Sequence, residues 1–78
     1  VPTDPIPAQV LARRRAIGVQ IRQAREGAEL TQERLAERAD LDRVTIVRIE
    51  TGVTSPRLDH LLMIADALGV ALSYLVRE

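Results

Sequence analysis

Residues 30–52 read Leu30-Thr31-Gln32-Glu33-Arg34-Leu35-Ala36-Glu37-Arg38-Ala39-Asp40-Leu41-Asp42-Arg43-Val44-Thr45-Ile46-Val47-Arg48-Ile49-Glu50-Thr51-Gly52, and they carry the same opening signal twice. Thr31 is placed to cap a helix. Leu30 precedes the cap and Leu35 follows at the fourth helical position, the spacing of a hydrophobic staple. Glu33 falls in the first turn, where the helix dipole favours an acid. Leu35, Ala36 and Ala39 share the face that this helix would bury. The pattern returns with Asp42 as cap, Leu41 before it and Ile46 as staple partner. Only Asp40 and Leu41 lie between the first helix and the second cap. Two short helices joined so tightly cannot lie parallel, so the stretch predicts a helix-turn-helix. The second helix is expected from Arg43 to about Thr51, stopped by Gly52, a residue suited to a left-handed end.

The second helix has an unusual outer face. At about 100° per residue from Arg43, Val47, Thr51, Val44 and Arg48 fall at about 40°, 80°, 100° and 140°. Ile46 and Ile49 fall opposite, near 300° and 240°, and are expected in the core. Exposed β-branched residues between arginines cost helix propensity without helping the core, so something should cover them. A DNA major groove fits: it admits a helix, Arg donates two hydrogen bonds to guanine, and an apolar side chain touches the thymine methyl. A protein partner held through Val44 and Val47 fits this wheel equally well.

Outward from this unit, Val10, Arg14, Ile17, Ile21 and Ala24 recur at helical steps, predicting a helix that starts near Ala8 or Ala16 and ends near Gly27. Three of the four prolines lie in residues 1–7, which read as a flexible arm before a domain spanning 8–78. Pro7 fits the first turn of that helix. No apolar segment of the kind in a secretory signal follows a basic start. On the other side, Ser55 reads as an N-cap with Pro56 in the first turn. Leu58, Leu61, Leu62, Ala65 and Leu68 give an amphipathic helix ending at Gly69. Val70, Leu72 and Leu75 suggest a last short helix. The fold class is all-α, with five helices.

Composition sets the bounds. The 78 residues are 46% hydrophobic and 28% charged, a globular balance in a chain long enough for one small domain. No run of 18 apolar residues suggests a membrane span. The absence of Cys excludes disulfides, thiolate metal sites and a Cys nucleophile. His60 is the single histidine, too little for an enzyme's acid–base chemistry. No cofactor, metal or small-molecule ligand is implied. The net charge is zero, but it is segregated: +4 over residues 1–25, −4 over 26–42, +2 over 43–58 and −2 beyond. All eleven basic residues are Arg. Local field governs binding more than the total. Arg13, Arg14 and Arg15 either meet flanking phosphates or keep a helix solvated; a membrane anchor is disfavoured because the apolar face is small and lacks Trp and Phe.

The segment Leu30–Ala39, with Leu41-Asp42-Arg43, Ile46, Arg48-Ile49-Glu50-Thr51-Gly52, Pro56, Leu58, Leu61 and Ile64-Ala65-Asp66-Ala67-Leu68-Gly69-Val70, resembles the Cro/CI-type helix-turn-helix domain, or xenobiotic-response-element family, of bacterial and phage regulators. The resemblance covers about Ile17 to Val76. It implies a compact, lambda-repressor-like five-helix bundle and a cytoplasmic, nucleoid-associated regulator, repressor or controller, that binds double-stranded DNA as a homodimer on a pseudo-palindrome. Residue by residue, Arg43, Val44 and Arg48 match base-reading positions, with Val47 between them. Gln32 matches a glutamine that touches phosphate and braces the recognition helix. Thr45, Thr51, Thr54 and Arg57 match backbone-contacting positions. Arg25 and Glu50 match a structural ion pair that links the first helix to the end of the recognition helix.

The chain also departs from the family. Asp40 stands where a turn Gly is common, and Asp tolerates the left-handed conformation moderately. Ala71 cannot cap the last helix. Tyr74 and Val76 replace residues that are usually polar. With Leu72 they are read as a dimer surface, or else Tyr74 folds back to finish the core. The alternative function is an antitoxin-like module whose main work is to bind a partner protein.

Overall fold

The computed structural model describes residues 5–78. Five helices follow in order: α1 (Ala8–Gly27), α2 (Gln32–Ala39), α3 (Arg43–Glu50), α4 (Leu58–Leu68) and α5 (Leu72–Leu75). No strand occurs among the described residues. The largest fully buried side chains are one from each helix: Ile21, Leu35, Ile46, Ile64 and Leu75. Removing each from water contributes about 1.5–3 kcal/mol. Ala36, Ala39, Ile49 and Ala65 fill the space between them. The small α2 residues let α3 and α4 both pack closely on that helix.

The helix-turn-helix forms from its local signals. Thr31 Oγ1 accepts a hydrogen bond from the Arg34 N–H at 3.0 Å, satisfying one of the free donors of the α2 start. α2 ends on Asp40, which is left-handed (φ 57°, ψ 43°). The Leu41 N–H then bonds back to the Ala36 carbonyl at 2.9 Å and reverses the chain. Asp42 occupies the N-cap of α3 in an extended conformation, but its side chain makes no capping hydrogen bond. α3 closes through Gly52, at φ 72°, with the Val53 N–H on the Arg48 carbonyl.

Three local expectations are corrected. α4 does not begin at Ser55–Pro56: Arg57 is its N-cap, extended at ψ 148° and without a side-chain cap. Ser55, Pro56 and Arg57 run on as loop and the helix opens at Leu58. The inward face of α4 is set by Ile64 and Ala65, while Leu58 (61% exposed) and Leu62 lie outside. At the other end, Pro7 is the N-cap of α1 rather than a residue of its first turn. Of the expected arm, residues 1–4 lie outside the described residues. α1 reaches Gly27, yet the left-handed residue that turns the chain is Glu29 (φ 59°).

Candidate nucleic-acid interface

α3 presents the outer face its sequence describes. Ile46, Ile49 and Glu50 are buried. Arg43, Val44 and Arg48 are exposed, Val44 by 53%. Val47, between Arg43 and Val44 on the wheel, and Thr45 are half-buried. The exposed strip is thus two guanidiniums flanking an isopropyl group, a set able to hydrogen-bond base edges and touch a methyl.

The pose of α3 is fixed from behind. Among the described residues, Arg25 and Glu50 are the two buried charged ones, 8% and 6% exposed. Arg25 Nε donates to Glu50 Oε2 at 2.7 Å and Nη2 to Oε1 at 3.0 Å, a bidentate pair. Arg25 Nη1 also donates to the Leu30 carbonyl at 2.9 Å. Gln32 Nε2 donates to Glu50 Oε1 at 3.2 Å. One carboxylate at the end of α3 therefore gathers α1, the loop before α2 and the first residue of α2. The hydrogen bond to Glu50 raises the Arg25 pKa further above its ordinary value, outweighing burial, so the guanidinium stays charged.

Two further contacts on α3 escape sequence reasoning. A Cβ built on Gly18 of α1 would lie 2.5 Å from the Ile49 carbonyl oxygen and 2.6 Å from that of Glu50. Only a glycine lets α1 cross the end of α3 so closely. Arg14 Nε donates to the Gly52 carbonyl at 3.2 Å, placing a cation at the negative end of α3. The partner of Gly18 lies 31 positions away, and no local pattern marks it.

The residues matched to backbone contacts do not all gather. Thr45, Arg48, Thr54 and Arg57 line one cleft between α3 and the start of α4, with Ile49, Ser55, Pro56 and His60, a volume of about 210 Å³. Gln32 lies apart, on Glu50. Thr51 donates its hydroxyl proton to the Val47 carbonyl at 2.8 Å, leaving no donor for a phosphate in this arrangement. His60 joins this cleft although one histidine on a helix carries no signal in the sequence by itself. Arg13 pairs with Glu78 at the surface.

At the opposite end Leu72 packs against the core and Val76 is half-buried. Tyr74 does not fold back: it is 48% exposed, with the Arg77 guanidinium 4.0 Å above its ring. Among the described residues, no group of His, Asp and Glu is arranged to hold a metal ion. No helix there is long and apolar enough to cross a membrane.

A family model for the helix-turn-helix matches residues 21–75. The chain belongs to the helix-turn-helix family. This is the Cro/CI, or xenobiotic-response-element, type of transcription regulator. The helix-turn-helix protein is 39% identical over 62 residues to the immunity repressor protein of Bacillus phage phi105, covering 80% of this chain and 43% of the repressor. The chain thus spans less than half of that relative. The restriction–modification controller protein C.AhdI of Aeromonas hydrophila superposes with a TM-score of 0.81 at 31% identity, over 82% of this chain and 97% of the controller. The competence regulator ComR of Streptococcus vestibularis superposes at 0.76 with 34% identity, over 82% of this chain and 22% of ComR. All three are regulators by name.

Proposed function

We propose that this helix-turn-helix protein is a sequence-specific DNA-binding transcriptional regulator, a repressor or controller, with residues 8–78 as its DNA-binding domain. The observation that carries this reading is the face of α3: Arg43, Val44 and Arg48 stand exposed while a buried ion pair holds the opposite side. α3 lies in the major groove, with Arg43 and Arg48 donating to base edges and Val44 and Val47 against thymine methyls. Thr45, Thr54 and Arg57 hold the sugar–phosphate backbone; Gln32 and Thr51 act from behind, bracing and closing helices. The names of the phage repressor and the controller support a repressing role. The binding partner is double-stranded DNA in the cytoplasm.

Two copies bind a pseudo-palindrome, meeting through Tyr74 with Leu72 and Val76. The exposed Leu58, Leu62 and Tyr74 also favour the second reading, a module that holds a partner protein. Substitutions separate the two. Arg48→Ala should weaken operator binding by about 1–3 kcal/mol and relax specificity at one base position. Arg57→Ala should weaken all sequences alike and lower the salt slope by about one unit. Binding titrations over a salt series read both effects. Arg43→Ala and Arg48→Ala leaving function intact would favour the partner-protein module instead.

A further inference from the structure

The cleft between α3 and α4 is lined by cations and hydrogen-bond donors. Its lining offers two guanidiniums (Arg48, Arg57), three hydroxyls (Thr45, Thr54, Ser55) and one imidazole (His60) around an apolar floor. No carboxylate lines it. The nearest acids in sequence are accounted for: Glu50 is tied to Arg25 and Gln32, and Asp59 points outward, exposed and not part of the lining. The cationic groups that line the cleft with His60 are Arg57 from the loop and Arg48 from α3; with Arg48 assigned to a base edge, Arg57 is the guanidinium left for a phosphate, and α2 and α5, which also pack on α4, contribute nothing to the cleft. At about 210 Å³ the cleft has room for one phosphodiester group.

We propose that this cleft seats one backbone phosphate of the bound DNA and that His60 is its proton-dependent ligand, so that operator affinity is coupled to pH. The inference rests on the DNA-binding reading and adds a regulatory property to it. A neutral imidazole offers a single N–H, and its other nitrogen is an acceptor that repels phosphate oxygens; the imidazolium offers two N–H donors and a charge. A phosphodiester within hydrogen-bond reach therefore favours the protonated form, raising the imidazole midpoint in the complex. The sign follows from linkage. The added affinity is full below the midpoint of the free protein and is lost as pH rises through the midpoint of the complex. Each unit by which phosphate raises that midpoint is worth about tenfold in affinity per protomer. Imidazole is the side chain whose ordinary titration lies between about pH 5 and 8, so the effect falls in a physiological window.

The test is operator binding at constant ionic strength from about pH 5.5 to 8, for the native protein and for His60→Gln, which keeps a donor but cannot take up the proton. The native protein is expected to lose affinity with rising pH, and His60→Gln to bind with a flat profile. The order of preference among operator variants should be unchanged, since a phosphate contact reads no sequence. Because the chain has one histidine, its imidazole resonance is unique and titrates without assignment. In the native protein its midpoint should move upward when the duplex is added, a reading that needs no variant to fold. Tight binding with no pH dependence and an unmoved imidazole midpoint overturns the inference and leaves the DNA-binding reading standing. No duplex bound at any pH overturns both.

Discussion

Glu50 is an acid at the C-terminal end of a helix, where the dipole opposes it, and it is buried. Such a placement persists only with compensation, and here the compensation is complete: two hydrogen bonds from Arg25 and one from Gln32. Removing one partner strands the other charge. Arg25→Ala should therefore cost about 3–5 kcal/mol, measured by chemical denaturation, far more than a surface pair would. A loss under about 1 kcal/mol would show that the pair does not position α3. The need of Glu50 for a cation was legible from the dipole, but Arg25 as that cation only through the family resemblance, because a bond across 25 positions leaves no local periodicity. Glu29 was not legible at all. Nothing in a glutamate announces a left-handed backbone; the return of the Leu30 N–H to the Arg25 carbonyl imposes it.

At the scale of elements, the starts of α2 and α3 were readable at Gln32 and Arg43 from caps and staples, although Asp42 makes no side-chain cap, and α3 ends at Glu50, one residue before the expected Thr51. The start of α4 was not. Ser-Pro is a good helix-start signature, yet the three residues from Ser55 to Arg57 serve as loop walling the cleft beside α3. The crossing of α1 over α3 is equally invisible in sequence, since Gly18 matters only through a carbonyl of another helix. Gly18→Ala tests it. Alanine gains about 1 kcal/mol of helix propensity. Its Cβ, however, meets two backbone oxygens inside 2.7 Å, which no rotamer relieves. The expected net loss is about 1–3 kcal/mol in thermal or denaturant melts, with weaker specific binding as the end of α3 is pushed outward. A stabilised variant would contradict the close crossing.

For the whole molecule, five helices supply one large buried side chain each, and Leu58, Leu62 and Tyr74 stay exposed outside that core. Tyr74, on the short α5, is exposed beside two half-buried apolar neighbours, Leu72 and Val76. Tyr74→Glu should convert a dimer to a monomer in sedimentation without unfolding the core, since the ring lies outside it. An unchanged dimer, or a monomeric native protein, removes this surface from the account. The central claim, that α3 reads operator sequence, is tested most directly by selecting bound duplexes from a random DNA pool at near-physiological salt. The account predicts a two-fold symmetric consensus, with half-sites about 10 base pairs apart or a multiple of that, each read by one α3. Absence of enrichment, with only weak and salt-sensitive binding, would contradict it.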